Sequence, residues 1–159
     1  TIVDFGSSTG TCENIANTIA EKLGVEAINV TDFSADTIAN HDNLILGTST
    51  WGAGELQDDW YDGVNVLKDA DLSGKTVAIF GCGDSESYSD TFCAAMKEIY
   101  DAAEGANIIG SVSTDGYTFD DSDAVVDGKF IGLPLDDVNE DDKTEGRIDA
   151  WLDSIKGSL

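Results

Sequence analysis

Basic residues are scarce in this chain: 8 Lys and Arg stand against 32 Asp and Glu, a formal net charge of −24. A surface so acidic repels a phosphate backbone and excludes nucleic-acid binding as a main task. Cysteine and histidine are scarce too. Cys12, Cys82 and Cys93 show no CxxC spacing and are odd in number, so no disulfide framework is suggested. A single His, with no Cys/His cluster, leaves no zinc site. No apolar run is long enough to span a bilayer, and no secretory signal precedes the first apolar stretch. These absences together point to a reducing, cytoplasmic setting without membrane insertion. The 159 residues are nevertheless 41% apolar, too many for a disordered acidic chain, so the charge belongs to the surface of a folded domain.

The stretch Ile2-Val-Asp-Phe-Gly-Ser-Ser-Thr-Gly-Thr-Cys-Glu13 reads as strand, tight turn and helix N-terminus. Ile15, Ile19 and Leu23 follow at helical spacing. Such a turn presents free backbone N–H groups at the positive end of a helix dipole, and Ser7, Ser8, Thr9 and Thr11 add hydroxyl donors. The site suits a phosphate. No Lys or Arg precedes Lys22, and neither a Walker lysine nor a GxGxxG fingerprint is present. Nucleotide triphosphatases and dinucleotide-binding enzymes are therefore disfavoured. A terminal monophosphate remains, and a turn that merely caps a helix is the plain alternative.

Further along, strand and helix patterns alternate. Strands are expected at 25–30, 43–48, 76–81 and 107–112. Helices are marked by Trp60, Val64 and Leu67, by Phe92, Met96, Ile99 and Ala103, and by Ile148, Trp151, Leu152 and Ile155 from about Thr144. Residues 113–128 are polar and break the rhythm, and Lys129–Leu135 looks strand-like again. Two short strand signals around a loop predict one sheet position interrupted by an insertion. With no repeats and no linker, the expectation is one domain over 1–159: a doubly wound, five-stranded parallel sheet with helices on both faces. Asp4 is a misfit, because a carboxylate in a central strand is costly without a partner.

Ligands in such sheets sit beyond the carboxyl ends of the strands. Two more loops leave from that end, Thr48-Ser-Thr-Trp-Gly-Ala-Gly-Glu55 and Gly81-Cys-Gly-Asp-Ser-Glu-Ser-Tyr88. Glycines let backbone approach a flat ligand, and Trp51 and Tyr88 offer aromatic faces. A phosphate grip with two aromatic walls describes a pocket for a planar heterocycle on a phosphorylated tail.

Gly6–Thr11, Thr50-Trp51, Phe80–Asp84 with Tyr88, Asp115-Gly-Tyr117 and Gly128–Asp136 make the chain resemble a long-chain flavodoxin. The resemblance implies strand order 2-1-3-4-5, non-covalent flavin mononucleotide (FMN), and one-electron transfer between larger redox proteins. It implies that Ser7, Ser8, Thr9, Gly10, Thr11 and Cys12 hold the phosphate, with Thr50 and Trp51 on the inner ring face and Tyr88 on the outer. Gly52, Ala53 and Gly54, with Cys82, Gly83 and Asp84, would face the ring's polar edge. The Gly52–Ala53 peptide would turn its carbonyl toward a ring nitrogen protonated on reduction. Cys12 departs from the usual Thr or Ser, whose hydroxyl is the better donor, and Val138 replaces a common acidic residue.

The implied partners are redox proteins with basic docking faces, photosystem I and ferredoxin–NADP reductase among them. A monomer is implied, cytoplasmic or, in a photosynthetic eukaryote, stromal. An FMN-dependent NAD(P)H:quinone reductase on the same fold is the enzyme alternative. A phosphoacceptor receiver domain would need Asp after the third strand and Lys after the fifth, where this chain has Gly47-Thr48-Ser49 and Val112-Ser113.

Overall fold

A computed structural model describes residues 1–7, 10–51 and 54–159, and for Trp51 the backbone alone. The strands are β1 Ile2–Gly6, β2 Glu26–Asn29, β3 Asn43–Trp51, β4 Glu55–Leu56, β5 Thr76–Cys82, β6 Asn107–Ile109, β7 Val112–Ser113, β8 Val125–Val126, β9 Lys129–Phe130 and β10 Leu133–Leu135. The helices are α1 Thr11–Leu23, α2 Ala35–Ala39, α3 Trp60–Asp69, α4 Met96–Ala102 and α5 Asp141–Ile155.

The main sheet runs β2-β1-β3-β5, all parallel, and its fifth position is shared. β6 pairs with the first half of β5, from Thr76↔Asn107 to Ala78↔Ile109, and β10 with the second half, from Phe80↔Leu133 to Cys82↔Leu135. The interrupted fifth strand is thus present. The stretch 129–135 is not one strand, however. β9 joins β7 and β8 in a small antiparallel sheet within the insertion, and only β10 returns to the main sheet. β4, which folds back antiparallel on the end of β3, was not anticipated from the residues.

Period-two alternation sends side chains to two cores. Val3, Phe5, Ile45, Ala78, Phe80 and Leu133 face α1 and α5, which bury Ile15, Ile19, Ile148 and Trp151 against them. Ile2, Leu44, Leu46, Val77 and Ile79 face α3 and α4, whose contribution includes Trp60, Leu67, Met96 and Ile99. Each large side chain moved from water into these layers contributes roughly 1.5–3 kcal/mol. Trp60 is fully buried because its indole Nε1–H donates to the Gly47 carbonyl at 2.7 Å, so no polar atom is stranded. Phe92 lies in the turns before α4 rather than in the helix. It packs with Tyr117, Phe119 and Phe130 of the insertion at ring separations of 5.9–6.2 Å.

Candidate functional site

The register of the sheet places three loop origins side by side. Gly6 at the end of β1 is opposite Thr48 on β3, and Ser49 is opposite Cys82 at the end of β5. The chain leaves β1 for β2 on one side and returns for β3 on the other, so this is the switch point of the sheet.

In the first loop, Ser7 Oγ accepts the Gly10 N–H at 3.0 Å and closes the turn. Gly10 stands at the N-cap of α1 with φ 91°, a left-handed conformation that a side chain resists, and it has no side chain to occupy the helix end. The first intrahelical bond is Asn14 N–H to the Gly10 carbonyl, at 3.0 Å. The N–H groups of Thr11, Cys12 and Glu13 therefore precede any intrahelical acceptor and point out of the helix end. Cys12 is the residue after Thr11, at the start of α1. Its thiol is fully buried, and the neighbouring Cys82 thiol, with burial, pushes it well above the ordinary thiol range. Only its backbone N–H is offered to the loop. Ser8 and Thr9 lie outside the described residues.

The second loop is the β3–β4 hairpin, with Thr50 opposite Leu56 and Trp51 opposite Glu55. Thr50 Oγ1 accepts the Ala95 N–H at 3.2 Å, which ties the hairpin to the residue before α4. Gly54, at φ 93°, packs so closely that a Cβ there would lie 3.1 Å from that of Ala94. The Trp51 side chain, Gly52 and Ala53 lie outside the described residues.

The third loop begins at Cys82, which is buried, and Gly83 N–H donates to the Leu135 carbonyl at 2.9 Å. Asp84 Oδ1 accepts from Ser87 N–H at 3.0 Å, Glu86 N–H at 3.1 Å and Asn139 Nδ2 at 2.8 Å. These donors, the Ser87 amide foremost, hold its carboxyl below the usual range. Tyr88 is 45% exposed, free to present a ring face. Three polar residues that hold this loop went unassigned from the residues alone: Ser85, Asp136 and Asn139. The readable signal was Asp136-x-x-Asn139, two turn-forming residues directly after a strand.

The described donors are neutral amides and hydroxyls at a helix N-terminus, with an exposed aromatic ring on a neighbouring loop. That set fits a phosphorylated planar cofactor and lacks the lysine a triphosphate would need. The family model for flavodoxin matches residues 3–151. The chain belongs to the flavodoxin family.

Among relatives of this flavodoxin, flavodoxin 1 of Azotobacter vinelandii is 43% identical over 157 residues, covering 93% of this chain and 90% of that protein. The flavodoxin of Helicobacter pylori is 39% identical over 156 residues, covering 98% and 95%. A crystal structure of Fusobacterium nucleatum flavodoxin bound to flavin mononucleotide superposes with a TM-score of 0.92 at 31% identity, covering 99% of this chain and 97% of that one. Flavodoxins are electron carriers rather than enzymes, and so is this one. Around this flavodoxin's loops the surface charge is of one sign. None of its 8 basic residues lies in 6–12, 48–58 or 82–91, whereas Glu55, Asp58, Glu86 and Asp90 are exposed there.

Proposed function

We propose that the three loops together hold FMN and that the protein passes single electrons between larger redox proteins. The observation that carries this is the convergence of the phosphate-type loop, the Thr50–Gly54 hairpin and the Cys82–Tyr88 loop at one switch point. When bound, the flavin supplies a ring that accepts electrons one at a time. The chain's own residues bind and orient it. Ser7, Ser8, Thr9, Gly10, Thr11 and the Cys12 amide hold the phosphate. Trp51, with Thr50 beside it, would cover the inner face of the ring and Tyr88 the outer, while Gly52, Ala53 and Gly54, with Cys82, Gly83 and Asp84, would face its polar edge. A turn of the Gly52–Ala53 peptide toward the ring would cost little, because glycine tolerates positive φ.

We place this function in one domain of the long-chain type spanning 1–159, acting as a monomer. The partners we infer carry basic docking faces, as photosystem I or a ferredoxin–NADP reductase would. The acidic loop surroundings support this reading, since opposite charge speeds encounter. A cytoplasmic location agrees with the bacterial relatives. Among the described residues, no helix is long and apolar enough to cross a membrane. The quinone reductase alternative is not favoured, because the family and the relatives are carriers.

Titration of the apoprotein with FMN and with riboflavin tests the assignment. Donors left unpaired by the missing phosphate cost about 1–3 kcal/mol each. FMN should therefore bind at least about a hundredfold more tightly, and equal affinities would overturn the phosphate loop.

A further inference from the structure

Between Cys82 and α4 the chain runs through turns, yet this is the stretch that carries Asp84 and Tyr88. What holds it is a buried carboxylate on the opposite segment. Asp136, directly after β10, is fully buried. Its Oδ2 accepts from Ser85 N–H at 3.1 Å, from the Ser85 hydroxyl, and from Asn139 Nδ2 at 3.0 Å. Its Oδ1 accepts from Val138 N–H at 3.2 Å and from Asn139 N–H at 3.0 Å, with Asn139 Nδ2 also at 3.2 Å. Donors from the protein thus surround both oxygens, which is how a charge can be kept away from water. Asn139 completes the link. Its amide group has two hydrogens, and they point at two carboxylates, Asp136 and, at 2.8 Å, Asp84. With the amide reversed, its carbonyl oxygen would face both anions, so this orientation is the one chemistry selects.

We propose that Asp136 and Asn139 form a positioning clamp that holds the Cys82–Tyr88 loop in the shape that receives the flavin ring. The proposal rests on the flavin reading above and assigns two residues to it. Asp136 acts through Ser85, and Asn139 acts through Asp84. The clamp joins a loop with no regular structure to the rigid edge of the main sheet, where β10 pairs with the end of β5. Its geometry thereby becomes that of the sheet. Among the described residues, none of these hydrogen bonds reaches the first loop, which would grip the phosphate.

The separation of roles makes the test specific. In Asp136→Asn an amide NH2 meets the Ser85 and Asn139 donors, and hydrogen bonds to a charged group are lost. Asn139→Ala, at an exposed position that leaves both cores intact, removes only the bridge. Apoprotein of the parent and of each variant is titrated with FMN and with riboflavin. Amide hydrogen exchange at Ser85, Glu86 and Ser87 is measured on the same apoproteins, and visible circular dichroism on the flavin complexes. Asp136→Asn should weaken both ligands by about tenfold or more, and Asn139→Ala by severalfold. The ratio of FMN to riboflavin affinity should stay at the parent's value, exchange at the three amides should quicken, and the flavin dichroism should change.

Faster exchange with parental affinities and dichroism would make the network merely structural and overturn the proposal. A loss confined to FMN would also overturn it, since that places the effect at the phosphate loop. If Asp136→Asn does not fold, Asn139→Ala decides by the same criteria. A parent that binds neither ligand would fail the flavin reading itself, which is a different result.

Discussion

Asp4 shows at the scale of one residue how a sequence can carry a physical cost. It lies in the central strand β1 on the same face as Ile2, between Ile28 and Leu46 on the neighbouring strands. It is fully buried, and among the described residues neither carboxylate oxygen has a hydrogen-bond partner. Burial, with the nearby charge of Glu26, pushes its carboxyl up to about 8 from 3.8. The sign follows from linkage. A raised folded value means that the unfolded chain gives up the proton first, so this residue's effect is smallest at acid pH. Stability is lost as pH rises from about 4 towards 8 and stays lost above that. The difference amounts to roughly 6 kcal/mol at the alkaline end. Asp4→Asn should remove that decline, and Asp4→Leu should also raise the denaturation midpoint. Chemical denaturation at pH 5 and pH 8 checks both, and an unchanged pH dependence in Asp4→Asn would show that Asp4 is not the group responsible. The cost was legible as a misfit in the residues. Its size was not, because burial on both sides and the absence of a partner depend on the assembled sheet.

At the scale of elements, the regular alternation was readable because each strand and helix carries its own apolar period. Ile15, Ile19 and Leu23 mark α1, and the near-continuous apolar run of β3 marks a strand covered on both faces. The split fifth strand was readable for the same reason. What escaped was set by contacts rather than by period. β3 continues to Trp51 because β4 pairs back on it, and α5 begins at Asp141 rather than Thr144. Asp141 and Asp142 favour a helix N-terminus by charge, without any apolar signal. The turn of Asp136-x-x-Asn139 leaves a local signal, but its link to Ser85 does not, since it joins residues 51 apart in the chain.

The insertion also depends on a distant partner. The Arg147 guanidinium of α5 lies 4.0 Å from the centre of the Tyr117 ring, donates to the Gly116 carbonyl at 2.9 Å, and pairs with Glu140 at 3.1 Å. Arg147 is the strap that fastens the insertion to the helix. Arg147→Ala should cost about 2 kcal/mol, or roughly 5 °C in thermal midpoint, and Arg147→Lys should recover little of it. Full recovery by lysine would mean that charge alone, and not the stacked planar group, does the fastening.

At the scale of the molecule, the net charge of −24 sets how partners are met. Glu55, Asp58, Asp62, Glu86 and Asp90 are exposed carboxylates in or beside the second and third loops. Asp59 is taken up by Gln57, at 3.1 Å, and Asp84 by Asn139 and the Ser87 amide. Replacing Asp58 and Glu86 by Asn and Gln should slow association with a cationic redox protein and flatten its salt dependence. Unchanged rates at low and high salt would place the docking face elsewhere. A charge about 10 Å from the ring, at an effective dielectric of about 40, contributes roughly 0.8 kcal/mol, or about 35 mV in a one-electron couple. The same carboxylates should therefore oppose the last electron added to the flavin, and the double variant should accept it at a higher potential.

What defines this flavodoxin's work is the passage of electrons one at a time through bound FMN. The most direct measurement is a potentiometric titration of the FMN-loaded full chain, followed by visible absorbance, with NADH and NADPH offered separately as reductants. The expected result is two resolved one-electron steps, the second at the lower potential, and no reduction by either nicotinamide until a separate reductase is added. A single two-electron step, or direct reduction by NADH or NADPH with turnover of a quinone, would contradict it.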